Sequence, residues 1–262
     1  MTLAATVEGV GLVGPGLAGW SAARERLAGR EAFEAAATVI PSPELLPATE
    51  RRRAGKTVKL ALAAGLEAAR MAGRETSTLA TIFASSGAEG ENCHAICEAL
   101  AGDDRLISPT RFHNSVHNAA AGYWGIATGA MAPSDALGPY DARLAAGLLE
   151  GLVRLASDPA QPVLLIAYDT PYPHPLSGVR PMTDSFAVAL VLTAARDGAP
   201  RVTASLETAA VTPMPDPALE AVRKGIPSAR SLPLLRALAL DSASSVALEY
   251  LGAQVLRVDV TP

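Results

Sequence analysis

Apolar residues recur along the chain at two spacings. Residues 6–13 form a glycine-punctuated apolar run of strand length, and residues 17–27 have the pattern of a short helix. A charged approach over 44–53 leads into 57–71, where Leu60, Leu62, Ala63, Leu66 and Ala69 recur at helical spacing and Gly73 closes the element. Residues 78–84 are β-branched and apolar and end in the small turn Ser85-Ser86-Gly87. Helices are predicted over 91–100, 115–128 and 141–155. The second is rich in Ala and Gly around Tyr123 and Trp124; the third opens on Asp141, whose charge suits the positive end of a helix dipole. An extended piece over 133–139 separates these two. Residues 162–168 and 185–193 are near-continuous apolar runs, the pattern of strands covered on both faces, with a proline-rich loop over 171–181 between them. Residues 201–211 alternate like a strand and 213–217 read as a linker. The tail offers helices over 232–239 and 244–251 and a terminal strand. Strands alternating with helices predict an α/β layered fold.

With 262 residues, 49% apolar and 18% charged, the chain is long enough for one large α/β unit and too apolar to be disordered. A net charge of −4 gives no general attraction to phosphate backbones, so no nucleic acid partner is expected. The longest strongly apolar stretch, 185–195, is far short of the ~20 residues that span a bilayer. The N-terminal segment places Glu8 where a secretory leader would be apolar, so the expectation is a cytoplasmic protein with no membrane partner. Cys93 and Cys97, four apart beside His94, supply neither a disulfide framework nor a four-ligand zinc site. They are expected to be half-buried small hydrophobes, and no metal is implied.

Three motifs invite chemistry, and each has a plainer reading. Gly9, Gly11 and Gly14 spell the dinucleotide-binding string G-x-G-x-x-G, but Pro15 and Gly16 follow where a helix should already be running, so no nicotinamide cofactor is expected. Ser85-Ser86-Gly87 lacks the G-x-S-x-G form of a hydrolase elbow. His113 and His117 are spaced as ligands or bases; alternatively Asn114, His117 and Asn118 hydrogen-bond the loop backbone at a helix entry. The small residues 119–122 permit close approach of another element, within the subunit or across a dimer.

Several stretches, in order, resemble the β-ketoacyl synthases of the thiolase-like superfamily. They are residues 7–13 with Trp20 and 27–30, Arg51-Arg52-Arg53 with the following helix, the block 108–122 (SPTRFHNSVHNAAAG), and Pro133-Ser134. The resemblance runs to about residue 200 and then fades. It implies a thiolase-like layered fold, the first half of a duplicated architecture over 1–200, with a truncated second half over 201–262 packed on the same core. In that family a cysteine at a helix N-terminus carries the acyl group, activated by the helix start. Counting from Pro133-Ser134, its place falls at Tyr140, and a phenol with a pKa near ~10 is a poor nucleophile. The family's two histidines and lysine from the second half are missing too: the last histidine is His174 and only Lys224 follows it.

These departures resemble the chain-length factors, and among them the short subunits of aryl-polyene-type systems. The resemblance implies a catalytically silent subunit that forms a heterodimer with a ketosynthase and meets acyl carrier protein transiently, with no cofactor. Phe112, Tyr123 and Tyr140 are the bulky candidates for a wall of the acyl tunnel; His113, Asn114, His117, Asn118 and Asp141 complete the tunnel or interface set. Two alternatives stay open: a malonyl-carrier-protein decarboxylase that needs no cysteine, and a non-catalytic homodimeric scaffold.

Overall fold

The computed structural model describes residues 3–87 and 89–262. In chain order they form β1 (Leu3–Gly14), β2 (Leu17–Ala18), α1 (Trp20–Leu27), α2 (Ala48–Arg53), α3 (Lys56–Met71), β3 (Ala80–Ala84), α4 (Gly90–Ala101), α5 (Pro109–Asn114), α6 (Ala119–Thr128), β4 (Ser134–Leu137), α7 (Arg143–Ser157), β5 (Val163–Asp169), α8 (Leu176–Val179), β6 (Phe186–Ala194), β7 (Arg201–Glu207), α9 (Pro217–Gly225), α10 (Leu232–Ala239), β8 (Ser244–Glu249) and β9 (Val255–Thr261). The strands make one mixed sheet in the order β4-β3-β5-β6-β1-β7-β9-β8, with β2 paired to the end of β1. β3 runs parallel to β4 and β5; the other neighbours are antiparallel.

Residues of β5 and β6 point alternately into two cores, which is why both strands are apolar without a break. Leu164, Ile166, Ala189 and Val191 pack with α3 and α6; Leu165, Ala167, Val188 and Leu190 pack with the α7 side. Helices therefore cover both faces of the sheet. The last 62 residues add β7, β8 and β9 to that sheet, and α9 and α10 to the α7-side core. No helix among the described residues is long and apolar enough to cross a membrane.

The G-x-G-x-x-G string is explained by packing. A Cβ on Gly9 would lie 2.2 Å from the Ala68 carbonyl oxygen, and one on Gly11 1.9 Å from that of Ala64, so α3 lies directly against the β1 backbone. At Gly14 a Cβ would meet the Phe186 ring at 2.4 Å.

Three expectations need correction. The helix expected over 115–128 starts only at Ala119: residues 115–118 form a turn, Asn118 precedes α6 with non-helical φ/ψ, and a separate short helix, α5, lies before that turn. Residues 244–251 form the strand β8: Val246 and Leu248 alternate inward and pair with β9, so hairpin pairing overrides the helical bias of Ser and Ala. The linker over 213–217 ends in an unanticipated helix, α9. Asp216 caps it by accepting the Ala218 and Leu219 N–H groups at 2.8 and 3.0 Å, with Pro217 in the first turn.

Gly11→Ala is expected to lower unfolding stability by about 3 kcal/mol or more, since the obstructing atoms are backbone and cannot rotate away. Gly122→Ala, in α6 with nothing within 4 Å of the new Cβ, is expected to raise stability by about 1 kcal/mol. Urea denaturation of the isolated chain checks both; equal effects would refute the packing account of Gly11.

Candidate functional site

β4 ends at Leu137, and residues 138–142 turn the chain sharply into α7. Tyr140 sits in this turn at φ 52°, a left-handed conformation that costs a non-glycine residue about 1 kcal/mol or more. Strain at a strand-to-helix turn is how a nucleophile elbow holds its side chain over a helix start. Here the side chain held out is a phenol. The residue is 65% exposed, and its ring lies against the Arg180 guanidinium, 4.0 Å from the ring centroid, in a cation–π contact.

A network of arginines and carboxylates fills the space behind this turn. Asp141 accepts from Arg180 Nη2 at 2.5 Å and lies 3.2 Å from Arg230 Nη2 and 3.4 Å from Arg143 Nη1. Burial pushes its carboxyl up, but the Arg180 hydrogen bond and the charges of Arg230 and Arg143 hold it below the usual carboxylate range. At neutral pH it therefore has no proton to give. It is also not the helix cap: Ala142 occupies that position, and three guanidinium groups claim the Asp141 oxygens instead.

Arg143, fully buried, pairs through Nε with Asp169 Oδ1 at 2.8 Å. The contact is not aligned as a hydrogen bond, and Nη2 has no hydrogen-bond partner among the described residues. Asp169 also accepts the Ser228 N–H at 2.8 Å, and Arg230 continues to Glu249 at 3.3 Å. The elbow is thus tied to residues 228–249, in the stretch where the resemblance was expected to have faded. Burial pushes the Asp169 carboxyl up to about 6 and the Arg143 guanidinium down, each opposed by its partner's charge.

The other residues singled out in the sequence fall into two groups. Asn114 is buried, donates from Nδ2 to the Arg53 carbonyl at 2.9 Å and accepts the Tyr123 hydroxyl at 3.1 Å. Tyr123 is itself buried in the α3–α6 core. His117 stands between the ends of β3 and β4: Nε2 is 3.2 Å from the Ser85 carbonyl oxygen and 3.5 Å from its hydroxyl. Ser85 is buried and donates to the Gly87 carbonyl at 2.7 Å, so the contact is no nucleophile–base pair. Phe112, His113 and Asn118 are exposed on α5 and at the start of α6. Cys93 and Cys97, expected half-buried, are exposed, because α4 buries none of its residues in this chain.

Arg143, Asp169, Arg180, Ser228, Arg230 and Glu249 were not anticipated. Two of them left a trace: Arg143 begins an otherwise apolar helix face and Asp169 closes a wholly buried strand, each a charge where the pattern calls for none. A groove of about 570 Å³ between Leu12, Val39, Leu45 and Leu66 includes no residue of the elbow.

A mixed sheet sheathed by helices on both faces, with an elbow from strand to buried helix, is the thiolase-like fold. The sequence profile of the beta-ketoacyl synthase N-terminal domain matches residues 20–250, and the chain belongs to that family. No curated protein matches it by sequence. Among solved structures it is similar to a chain of the ketosynthase ApeO in complex with its chain length factor ApeC from Xenorhabdus doucetiae. That match has 20% identity and a TM-score of 0.75, covering 98% of this chain and 99% of that one. It is also similar to a chain of AntDE:AntF, a type II polyketide synthase acyl-carrier protein in complex with its ketosynthase, at 13% identity and a TM-score of 0.74, covering 100% and 99%. A beta-ketoacyl synthase from Burkholderia phymatum matches at 13% identity and a TM-score of 0.59, with 92% of this chain covering 71% of that one.

Arg143→Met leaves Asp169 buried without its cation and is expected to cost about 3–5 kcal/mol at neutral pH. A carboxyl whose folded pKa exceeds its unfolded value weighs against folding as pH rises between the two, here from 3.8 to about 6, and more in the variant. The deficit measured by denaturation is therefore expected to be smaller at pH 5 than at pH 8. A deficit independent of pH would show that the two charges are not coupled.

Proposed function

We propose that this chain is the catalytically silent partner of a β-ketoacyl synthase, a chain-length factor of fatty-acid-like or polyene synthesis in the cytoplasm. The observation that carries the reading is the elbow: Tyr140 stands on a left-handed turn from strand into helix, backed by paired charges, and this turn is where the resemblance puts a condensing enzyme's thiolate. A ketosynthase partner would supply the cysteine and histidines. The similarity to a chain in ketosynthase complexes supports this reading.

The surface supports it as well. The two ends of the sheet differ. At β8, Thr212 donates its N–H to the Ala247 carbonyl at 3.0 Å and accepts the Ala247 N–H on its hydroxyl at 2.9 Å, which blocks that edge. β4 is the other terminal strand, with Ser134 and Ala136 exposed. Beside it stand exposed apolar residues of α5, α6 and their connections: Phe112, Val116, Ile126 and Met131. An open edge flanked by apolar side chains is a face for a partner subunit.

Carrier protein would approach a second feature. In a chain of net charge −4, residues 50–59 hold five cations, Arg51, Arg52, Arg53, Lys56 and Lys59, against the single carboxylate Glu50. The Asn114–Arg53 hydrogen bond brings α5 and its exposed Arg111 alongside. A basic strip on an acidic protein suits an acidic partner that binds and leaves.

Within the heterodimer, Phe112, 62% exposed on α5, is the bulky side chain offered to the growing acyl chain. Co-expression with the full-length β-ketoacyl synthase encoded nearest to its gene is expected to give a co-eluting 1:1 complex in which condensation needs both chains. A homodimer that leaves the synthase behind would overturn the reading. In the complex, Phe112→Ala is expected to lengthen the acyl products seen by mass spectrometry; products of unchanged length would remove Phe112 from the tunnel.

A further inference from the structure

We infer that Tyr140 is a preorganised docking anchor for the ketosynthase subunit and that Arg180 is its positioning residue; this rests on the heterodimer reading above. An exposed tyrosine usually keeps its rotamer freedom, and ordering it on binding costs affinity. Tyr140 has lost that freedom in advance. Its backbone is fixed at φ 52° between Pro139 and α7, and its ring is held by Arg180. Arg180 is in turn fixed by Asp141 at 2.5 Å, and Asp141 by Arg230 and the buried Arg143.

The surroundings have the make-up of a binding hot spot, in which tyrosine and arginine are over-represented and apolar neighbours exclude water. Next to Arg180, Val179 is 82% exposed and Leu176 half-exposed on α8. The patch is continuous with the face already assigned to the partner. Tyr140 follows the open strand β4 by three residues, and a Cβ on Gly138 would stand 3.6 Å from His117, in the turn that joins Phe112 and Val116 to α6. One occupant that pairs with the β4 edge reaches the Tyr140 ring without leaving that surface. The same ketosynthase subunit is therefore the partner committed to here, and Tyr140 acts through affinity rather than as the stop for the acyl chain.

The test is a double-mutant cycle on the complex, with dissociation constants from isothermal titration and melting of the isolated chain alongside. Tyr140→Gly relieves the left-handed strain, so the isolated chain is expected to melt at the same or a higher temperature while the dissociation constant rises at least tenfold. Tyr140→Phe keeps the stacked ring and is expected to stay within threefold of the parent. Arg180→Gln is expected to weaken binding by three- to tenfold, and the double variant to be no weaker than Tyr140→Gly alone, because Arg180 acts through the ring. Product lengths at saturating synthase are expected to be unchanged in every variant. An unchanged dissociation constant for Tyr140→Gly, or longer products at saturation, would overturn the inference. If the parent chain does not bind the synthase at all, the heterodimer reading itself fails, a result distinct from either.

Discussion

A fully buried arginine beside a fully buried aspartate is the constraint around which this molecule is arranged. Arg143 starts the helix that underlies the elbow, Asp169 ends the central strand β5, and their 2.8 Å contact locks helix and strand ends together. Neither charge is tolerable alone in that position, since an isolated buried ion costs several kcal/mol. The pair is kept whole by its neighbours. Ser228 supplies an N–H to Asp169, and Asp141 balances Arg143 on the outer side while drawing in Arg180 and Arg230. The space behind the turn that carries Tyr140 is thereby filled with matched charge.

The same network reaches into the chain beyond residue 200. Strands β7, β9 and β8 extend the sheet past β1; the segment between α9 and α10 furnishes Ser228 and Arg230 to the elbow network, and the end of β8 furnishes Glu249. These residues buttress a turn; they carry no histidine. The two sheet edges differ. The edge built by the tail is closed by Thr212, whereas β4, beside the elbow, ends the sheet on the other side.

Much of this was legible in the sequence, for physical reasons that differ from element to element. β5 and β6 were found because burial on both faces leaves an unbroken apolar run, and α3 because one face alternates at helical spacing. The family could be read from short blocks, and a count from Pro133-Ser134 led to Tyr140, which stands in the left-handed turn into α7. What the sequence concealed was tertiary. Residues 244–249 have a strand's alternation only against β9, and Cys93 and Cys97 are exposed because α4 finds no cover within its own chain. The glycines of β1 imitate a nucleotide motif because a closely packed helix excludes a Cβ as firmly as a bound phosphate would. The ion network joins residues up to about a hundred positions apart, and only two charges set in apolar surroundings, Arg143 and Asp169, hinted at it.

The central claim is that no acyl group is ever carried on this subunit. Intact-protein mass spectrometry of the purified heterodimer, incubated with acyl- and malonyl-loaded carrier protein and quenched during turnover, tests it most directly. The account predicts an added acyl mass on the ketosynthase subunit and none on this chain; an acyl adduct at any residue of this chain would contradict it.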